Sequence, residues 1–179
     1  MFNFSLLKAL VCFLVLAGGL NSPARAQTEI VKINWELAKL EGKNRLPFAP
    51  VGALQADPAI KFTGRLRALV TLKNVSPKKA EGLVIRYALR LRLLKAGDPQ
   101  EKSFWGVPFY VEEVRVAAVN AMSERSARVL NFGISEQLRK LRNSGFTPTA
   151  LKMEVMLCPR IGDAPAGIVK ESVLEIQKP

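Results

Sequence analysis

The sequence predicts an all-β fold, an antiparallel β-sandwich of about seven strands with one short helix near residues 135–143. Apolar and polar residues alternate along most of the chain, and a period of two is typical of a strand that buries one face. Turn-forming residues separate these runs at short intervals. The apolar fraction of 49% is too high for a disordered chain, so the strands have enough apolar residues to form a core.

The first alternating run covers residues 31–38, and a long connection with little regular structure is predicted from Glu41 to Pro58. Glycine and proline are frequent in that connection, where they favour turns over strands. The inward side chains predicted for the run are Val31, Ile33, Trp35 and Leu37.

Two longer alternating runs, at residues 65–73 and 83–93, form the clearest pattern in the chain. Residues 74–82 connect them, so the runs either pair as antiparallel neighbours or belong to different sheets. Asn74 begins an N-glycosylation sequon, but a proline follows the sequon and we interpret Asn74 as a turn residue. The core residues predicted on these runs are Leu66, Ala68, Val70, Leu72, Leu83, Ile85, Tyr87, Leu89, Leu91 and Leu93.

The second half of the chain is predicted to continue as strands, interrupted by one helix. Ser135 is the predicted N-cap of that helix, in which Leu138 and Leu141 share a face. Pro108 is predicted to break the strand pattern. The aromatic residues around it are predicted to close one end of the core; they are Phe104, Trp105, Phe109 and Tyr110. The strands predicted in this half cover residues 111–116, 127–132, 151–157 and about 168–176.

Residues 1–26 are predicted to be a secretory signal peptide that is cleaved before Gln27. Lys8 precedes an apolar run of 12 residues, and Ala24-Arg25-Ala26 places small residues where a signal peptidase requires them. A membrane-spanning helix needs about 20 apolar residues, so cleavage is favoured over an anchor. We therefore expect a periplasmic or secreted protein with no transmembrane segment after cleavage.

The predicted mature chain, residues 27–179, is expected to form a single domain. The full sequence has a formal charge of +12, and loss of Lys8 and Arg25 leaves 25 basic and 15 acidic groups, or +10. Cys158 is then the one remaining cysteine, so the fold depends on its hydrophobic core rather than on an intramolecular disulfide. A lone thiol in such a domain is expected to be buried and inert.

Four sequence elements between about residues 60 and 132 resemble a bacterial immunoglobulin-like module of the CARDB or FxLYD kind. An apolar strand leads into LKNVS, and a glycine begins the next strand in EGLVIRYALRL. KAGD forms a turn, and SERSARV leads into a further strand. The resemblance implies an immunoglobulin-like sandwich with a binding or assembly role in the cell envelope, and it implies no catalytic residues.

The amino-acid composition excludes several classes of enzyme. The absence of histidine excludes a Ser-His-Asp triad, a Cys-His pair and a histidine-ligated zinc site. Glu112 and Glu113 are adjacent in a predicted strand, where neighbours point to opposite faces, so they are not expected to share a site. Asp57, Asp98 and Asp163 are interpreted as turn formers. We therefore predict a non-catalytic protein without metal or cofactor; an enzyme with carboxylates from separate segments is the alternative.

The sequence feature that points to a function is a set of basic residues. Arginine and lysine occupy the non-core side of the two central runs, and two lysines lie in the loop between them. If the runs pair, their charges form one cationic sheet face, because few acids lie on the same strands. Such a face suits the phosphate or carboxylate groups of an anionic envelope component or an acidic protein. The predicted binding residues are Arg65, Arg67, Lys73, Lys78, Lys79, Arg86, Arg90 and Arg92.

The sequence is also compatible with three other interpretations. The charges could form a solvated face that only prevents edge pairing between molecules. Nucleic acid is a less favoured partner, because the aromatic residues are not interleaved with the charges. A structural or chaperone-like envelope component could instead pair through a strand edge, in which case the aromatic segment or the last strand would carry the contact.

Overall fold

The computed structural model describes residues 28–41, 43–55, 64–130, 134–141, 144–159 and 165–177. The predicted leader, residues 1–26, lies outside these ranges, as do Asp57 and Asp163. Within them the chain is mostly β, as predicted, with two short α-helices, α1 (Ile134–Leu141) and α2 (Pro165–Ile168). No helix in the described ranges is long and apolar enough to cross a membrane.

Strands make up most of the described chain. A short 3₁₀ helix covers Gln100–Lys102. The strands are β1 (Thr28–Ala38), β2 (Leu40–Glu41), β3 (Asn44–Arg45), β4 (Ala49–Pro50), β5 (Ala53–Gln55), β6 (Arg65–Asn74), β7 (Leu83–Lys95), β8 (Phe104–Trp105), β9 (Tyr110–Val116), β10 (Glu124–Leu130), β11 (Phe146–Leu157) and β12 (Val169–Gln177).

These strands form two larger sheets and a small hairpin. The four-stranded sheet has the order β10-β6-β1-β4. The six-stranded sheet has the order β5-β12-β11-β7, and both β8 and β9 pair with the far edge of β7. All of these pairings are antiparallel except that of β12 with β5, which is parallel. Strands β2 and β3 form a separate hairpin at the end of β1.

One hydrophobic core lies between the two larger sheets. The predicted inward residues of β6 and β7 are confirmed as far as Leu91: those from Leu66 to Leu72 and from Leu83 to Leu91 are at most 3% exposed. Leu93 is only partly buried and packs against this core. The core also includes the inward residues of β11 and β12 and the apolar face of α1, which confirms the predicted pairing of Leu138 with Leu141.

The two central strands do not pair with each other. Strand β6 lies in the four-stranded sheet and β7 in the six-stranded sheet, so the loop between them passes from one sheet to the other. Of the two arrangements left open by the sequence, the structure has the second. Both strands bury their apolar faces in the same core from opposite sides, which is why both show the same alternation.

Asn74 fixes the point where the chain leaves the four-stranded sheet. Its side-chain amide nitrogen donates to the carbonyl oxygens of Lys78, Val119 and Asn120 at 2.7, 3.2 and 3.0 Å. Its Oδ1 accepts from the backbone N–H of Ser76 at 3.0 Å. The residue is fully buried, so its interpretation as a turn residue rather than a glycan acceptor is confirmed.

Strand β1 departs from the strict alternation predicted for it. The register with β6 shifts between Ile30 and Lys32, so Val31 is an extra residue in a β-bulge. Ile30 therefore faces the core, at 6% exposure, while the predicted inward residue Val31 is only half-buried. Beyond the bulge the predicted alternation resumes, and Trp35 is 5% exposed.

Several boundaries differ from those predicted. The long connection from Glu41 includes short strands: β3 pairs locally with β2, whereas β4 and β5 pair with β1 and β12 of the two larger sheets. Pro108 breaks the pairing with β7 between β8 and β9, as predicted. Strand β10 begins three residues before Ala127, and its inward residues are Ala127 and Val129. Helix α1 begins at Ile134, one residue before the predicted N-cap.

Candidate functional site

The predicted cationic face is divided between two opposite surfaces. Arg65, Arg67 and Lys73 lie on the outer side of β6, in the four-stranded sheet. The arginines of β7 lie on the outer side of the six-stranded sheet. Because these sheets bury their inner faces in one core, their outer faces point away from each other. The prediction that these residues form one surface is therefore wrong.

On the six-stranded sheet, each predicted arginine has a carboxylate partner. Arg86 pairs with Glu113 of β9, with Nε and Oε1 2.8 Å apart. Arg90 pairs with Glu154 of β11 at 3.1 Å. The guanidinium of Arg92 lies 2.7 Å from a carboxylate oxygen of Glu175 on β12 and donates to Thr149 Oγ1 at 3.0 Å. The acids come from other strands, which is why the sequence of β7 alone suggested an uncompensated charge.

Lys152 extends the Arg90–Glu154 pair into a network that also includes Glu171. Its ammonium lies 2.7 Å from an Oε1 of Glu154 and 3.2 Å from Oε2 of Glu171. The hydrogen bond from Lys152 lowers the pKa of Glu154, and the bond to Glu154 raises the pKa of Lys152. Trp105 lies beneath both Lys152 and Arg92, with its ring centre 5.0 and 5.7 Å from their cationic atoms. We call this set of residues the ion-pair face, and its cations are already compensated.

The outer face of the four-stranded sheet is less fully paired. Arg67 donates to Glu36 at 2.5 Å and stacks on the ring of Phe48, 3.8 Å from its centre. Lys73 is exposed between Glu29 of β1 and Glu124 of β10, which are its register partners. Arg65 is exposed and has no ion pair among the described residues.

The two predicted lysines of the loop between β6 and β7 lie apart from both faces. Lys79 pairs with Glu81 at 2.7 Å, and this hydrogen bond lowers the pKa of Glu81. The backbone N–H of Lys78 donates to Ser76 Oγ at 3.1 Å, and its side chain is exposed. The backbone of Lys78 thus contributes to the turn that Asn74 holds.

A group of cations without ion pairs lies at the β2–β3 hairpin, which sequence reasoning missed and which also contains the exposed Glu41. Lys39, Lys43 and Arg45 are all exposed there. The hairpin begins where β1 ends, and Ala38 at that end is the register partner of Arg65. Among the described residues, none of these four cations takes part in an ion pair. We call Lys39, Lys43, Arg45 and Arg65 the basic end; the clue in the sequence was the run KLEGKNR.

The basic end also presents apolar side chains. Leu40 is 43% exposed and Leu46 is 39% exposed, and both belong to the hairpin or directly follow it. The backbone N–H of Leu46 donates to the carbonyl of Lys39 at 2.9 Å, which holds the base of the hairpin. The hairpin is thus a projection that combines cations with exposed leucines.

The adjacent acids Glu112 and Glu113 point to opposite sides of β9, as predicted. Glu113 pairs with Arg86 on the ion-pair face. Glu112 accepts hydrogen bonds from the hydroxyls of Tyr87 and Tyr110, the latter at 2.9 Å. Burial, and then the hydrogen bond to Glu112 and its charge, raise the pKa of both phenols. Two acids on opposite faces cannot act on the same bond.

The remaining predicted sites are structural in character. Asp98 lies in the turn after β7, where its backbone N–H donates to the carbonyl of Lys95 at 3.1 Å. Cys158 is half-buried rather than fully buried, and its backbone N–H bonds Val84. Among the described residues, no group of three or more acids, cysteines or histidines is placed to hold a metal ion.

The aromatic residues around Pro108 only partly close the core. Phe109 and Tyr110 pack against it, as predicted. Trp105 instead lies on the ion-pair face, and Phe104 is 48% exposed and contacts the edge of Phe146. The segment is split because Gly106 and Pro108 bend the chain between β8 and β9.

The surface of the described part of the molecule includes the following clefts. One, of about 520 Å³, lies between β1 and β12 and includes Trp35, Val51 and Leu174 in its lining. The other, of about 370 Å³, lies near the end of the six-stranded sheet and includes Gln100 and Thr147. Neither cleft includes residues of the basic end.

Comparisons with known proteins give little further guidance. No protein-family model matches the chain, and no curated protein matches its sequence. A solved structure of the Pseudomonas fluorescens alkylpurine DNA glycosylase AlkC, bound to DNA containing an abasic site analog, aligns with 92% of this chain at 13% identity. The TM-score is 0.45 and the alignment covers 33% of that longer chain, so this likeness assigns neither a fold nor an activity.

Proposed function

We propose that this protein is an exported, non-catalytic module of the cell envelope that binds an anionic envelope component through the basic end. In this proposal the two sheets form an immunoglobulin-like sandwich of the CARDB or FxLYD kind. The observation that carries the proposal is the contrast between two basic surfaces. Arg86, Arg90 and Arg92 are neutralised by carboxylates of their own sheet, whereas the basic end has no such partners.

The difference in pairing decides which surface attracts an anion. The charge of an arginine that already holds a carboxylate is largely compensated, so it attracts a further anion less strongly. Exposed cations without ion pairs on one hairpin act together as a local positive potential. The anionic partner is therefore assigned to Lys39, Lys43, Arg45 and Arg65.

The exposed leucines favour one class of anionic partner. Leu40 and Leu46 lie beside the cations, so a surface with negative headgroups above an apolar layer matches both features of the hairpin. Anionic phospholipid is therefore the partner class that we propose. An acidic protein would use the cations without requiring the leucines.

Vesicle binding tests this assignment. The chain from Gln27 to Pro179 should sediment with vesicles that contain anionic phospholipid and not with zwitterionic vesicles, and high salt should release it. Replacing Lys39, Lys43 and Arg45 with Gln should weaken binding at least about tenfold. The matched control replaces Lys95, Lys102 and Arg115, three exposed cations elsewhere, and should change binding little.

The outcomes separate the competing surfaces. Equal losses in the hairpin variant and the matched control would mean that only net charge matters. A loss confined to a variant with Gln at Arg86, Arg90 and Arg92 would return the site to the ion-pair face. Leu40→Ser and Leu46→Ser should weaken vesicle binding but leave retention on heparin unchanged.

The second candidate function is a structural envelope component that pairs through strand edges. The predicted edges were the aromatic segment and the last strand. Strands β8 and β9 pair with β7 on one side and with no described strand on the other, so the aromatic segment lies at an edge of the six-stranded sheet. The end of β12 lies between β11 and β5 and is not an edge. Strand β10 of the four-stranded sheet is a further open edge, and these open edges are the observation that favours this function.

A further inference from the structure

Strand β10 is an edge strand of the four-stranded sheet. It pairs with β6 over its whole length, and no described strand pairs with its other side. It is seven residues long and contains no proline. An open edge of this kind is a template for pairing with a further strand.

The hydrogen-bond pattern shows which backbone groups point outward. The N–H of Asn74 donates to the carbonyl of Ser123 at 2.9 Å, and these two residues continue the register between β6 and β10. In an antiparallel ladder, residues that bond to the partner strand alternate with residues that point away from it. The backbone N–H and C=O of Glu124, Ser126 and Arg128 therefore point to the open edge.

The side chains of these residues are self-complementary. Glu124, Ser126 and Arg128 lie on the outer face, are exposed, and form no ion pair with a described residue. When the strand is paired antiparallel with a copy of itself about Ser126, Glu124 of each copy lies opposite Arg128 of the other. In that register the outward backbone groups also face each other, because all three positions have the same parity.

Neighbouring registers are less favourable. Sliding one copy by two residues places Arg128 or Glu124 opposite Ser126, so both ion pairs are lost. Sliding it by four places the two copies of Arg128, or of Glu124, opposite each other, and like charges in that position are destabilising. Registers of odd offset place outward backbone groups opposite inward ones, so the ladder cannot form. One register therefore satisfies both the backbone and the charges.

We propose that two copies of this protein associate through β10, antiparallel and centred on Ser126, to form one continuous eight-stranded sheet. The interface is isologous, with two Glu124–Arg128 ion pairs and a backbone ladder across a twofold axis. This inference does not depend on the anionic partner, because the basic end lies on other strands. It assigns a partner to one of the open edges on which the structural candidate function rests.

Charge reversal tests the register. Sedimentation equilibrium of the chain from Gln27 should give a concentration-dependent mass that approaches twice the monomer. Glu124→Arg and Arg128→Glu should each raise the dissociation constant about tenfold or more, because each places like charges opposite each other. The double variant with both changes should restore dimerisation, since the pairs are re-formed with opposite sign.

Cysteine cross-linking gives a readout that does not depend on affinity. Opposed residues in a bonded antiparallel pair have Cα atoms about 5.5 Å apart, which a disulfide can span. In a Cys158→Ser background, Ser126→Cys should oxidise to a covalent dimer. Arg128→Cys should not, because residue 128 faces residue 124 of the partner. The two copies of residue 128 are then four residues apart along the strands, which is too far for a disulfide.

Two results would overturn the proposal. One is a chain that stays monomeric at all concentrations in sedimentation and forms no Ser126→Cys cross-link. The other is a dimer in which the double charge reversal fails to restore association and Arg128→Cys cross-links as well as Ser126→Cys. Circular dichroism of each variant establishes that the fold is intact.

Discussion

The indole Nε1 of Trp35 donates a hydrogen bond to Oγ of Ser172 at 3.0 Å, and this bond joins the two sheets at one side of the core. Trp35 belongs to β1 and Ser172 to β12, which are 137 positions apart in the sequence. Nearby, Nζ of Lys170 donates to the carbonyl of Val31 at 2.7 Å. The bulge at Val31 and the start of β12 are therefore connected by polar contacts as well as by packing.

Loss of the hydroxyl at position 172 should weaken this junction. Ser172→Ala leaves the indole N–H of a 5% exposed tryptophan without an acceptor, and we expect a loss of about 1–2 kcal/mol in unfolding free energy. Urea unfolding followed by circular dichroism measures it. In a Trp35→Phe background the same change should cost little, because the donor is gone. Equal costs in both backgrounds would show that the bond contributes nothing.

Replacement of Asn74 should cost more than any exposed asparagine. Asn74→Ala removes one acceptor and a donor shared among three carbonyls at a fully buried site, so we expect a loss of about 2–4 kcal/mol. Asn44→Ala, at an exposed hairpin position, is the matched control. A shift of the urea midpoint in the control as large as that of Asn74→Ala would contradict the assigned role.

The sequence predicts patterns within strands better than partners between them. Alternation identified the buried faces of β6 and β7, because each residue's side of a strand is fixed by its neighbours. The local sequence does not determine which sheet a strand joins. The loop after Asn74 was therefore compatible with two paired strands or with a passage from one sheet to the other. The bulge at Val31 was also not predictable from the sequence of β1, because it depends on the register of β1 with β6.

The charged surfaces show the same limit. The arginines of β7 looked uncompensated because their partners lie on other strands; Arg92 and Glu175 are 83 positions apart. The basic hairpin was instead overlooked in a segment assigned to irregular structure. Its charges were visible around Gly42, but their significance depends on the neutralisation of the other cations, which only the three-dimensional arrangement provides.

Removal of Lys152 should expose repulsion within the ion-pair face. Glu154 and Glu171 are register partners on β11 and β12, and Lys152 binds both. We expect Lys152→Ala to lose about 1–2 kcal/mol at neutral pH, because two like charges would then face each other on a partly exposed surface. Lys102→Ala, which removes an exposed cation outside the network, should have little effect.

The pH dependence of stability should change in the same variant. The pKa of Glu154 is lowered in the fold, chiefly by the hydrogen bond from Lys152. That contribution to stability is present above the ordinary pKa of a glutamate and is lost as the pH falls through the lowered value. Lys152→Ala should therefore lose less stability on acidification than the native chain does. Urea unfolding at neutral and acidic pH compares the two slopes, and identical slopes would contradict the coupling.

The titration of the two tyrosines at alkaline pH should depend on the charge of Glu112 and not on that of the other acids. The chain contains two tyrosines, Tyr87 and Tyr110, and the hydroxyls of both donate to Glu112. Burial and this carboxylate raise the pKa of both phenols above the ordinary value of about 10. The folded state therefore retains these protons more tightly than the unfolded state, so the contribution of the two tyrosines to stability is constant below pH about 10 and falls as the pH rises further. Glu112→Gln should move the near-ultraviolet phenolate titration to lower pH, because the negative charge beside the phenols is removed. Glu113→Gln, on the opposite side of β9, should leave it unchanged, and equal shifts in the two variants would show that Glu112 has no specific effect.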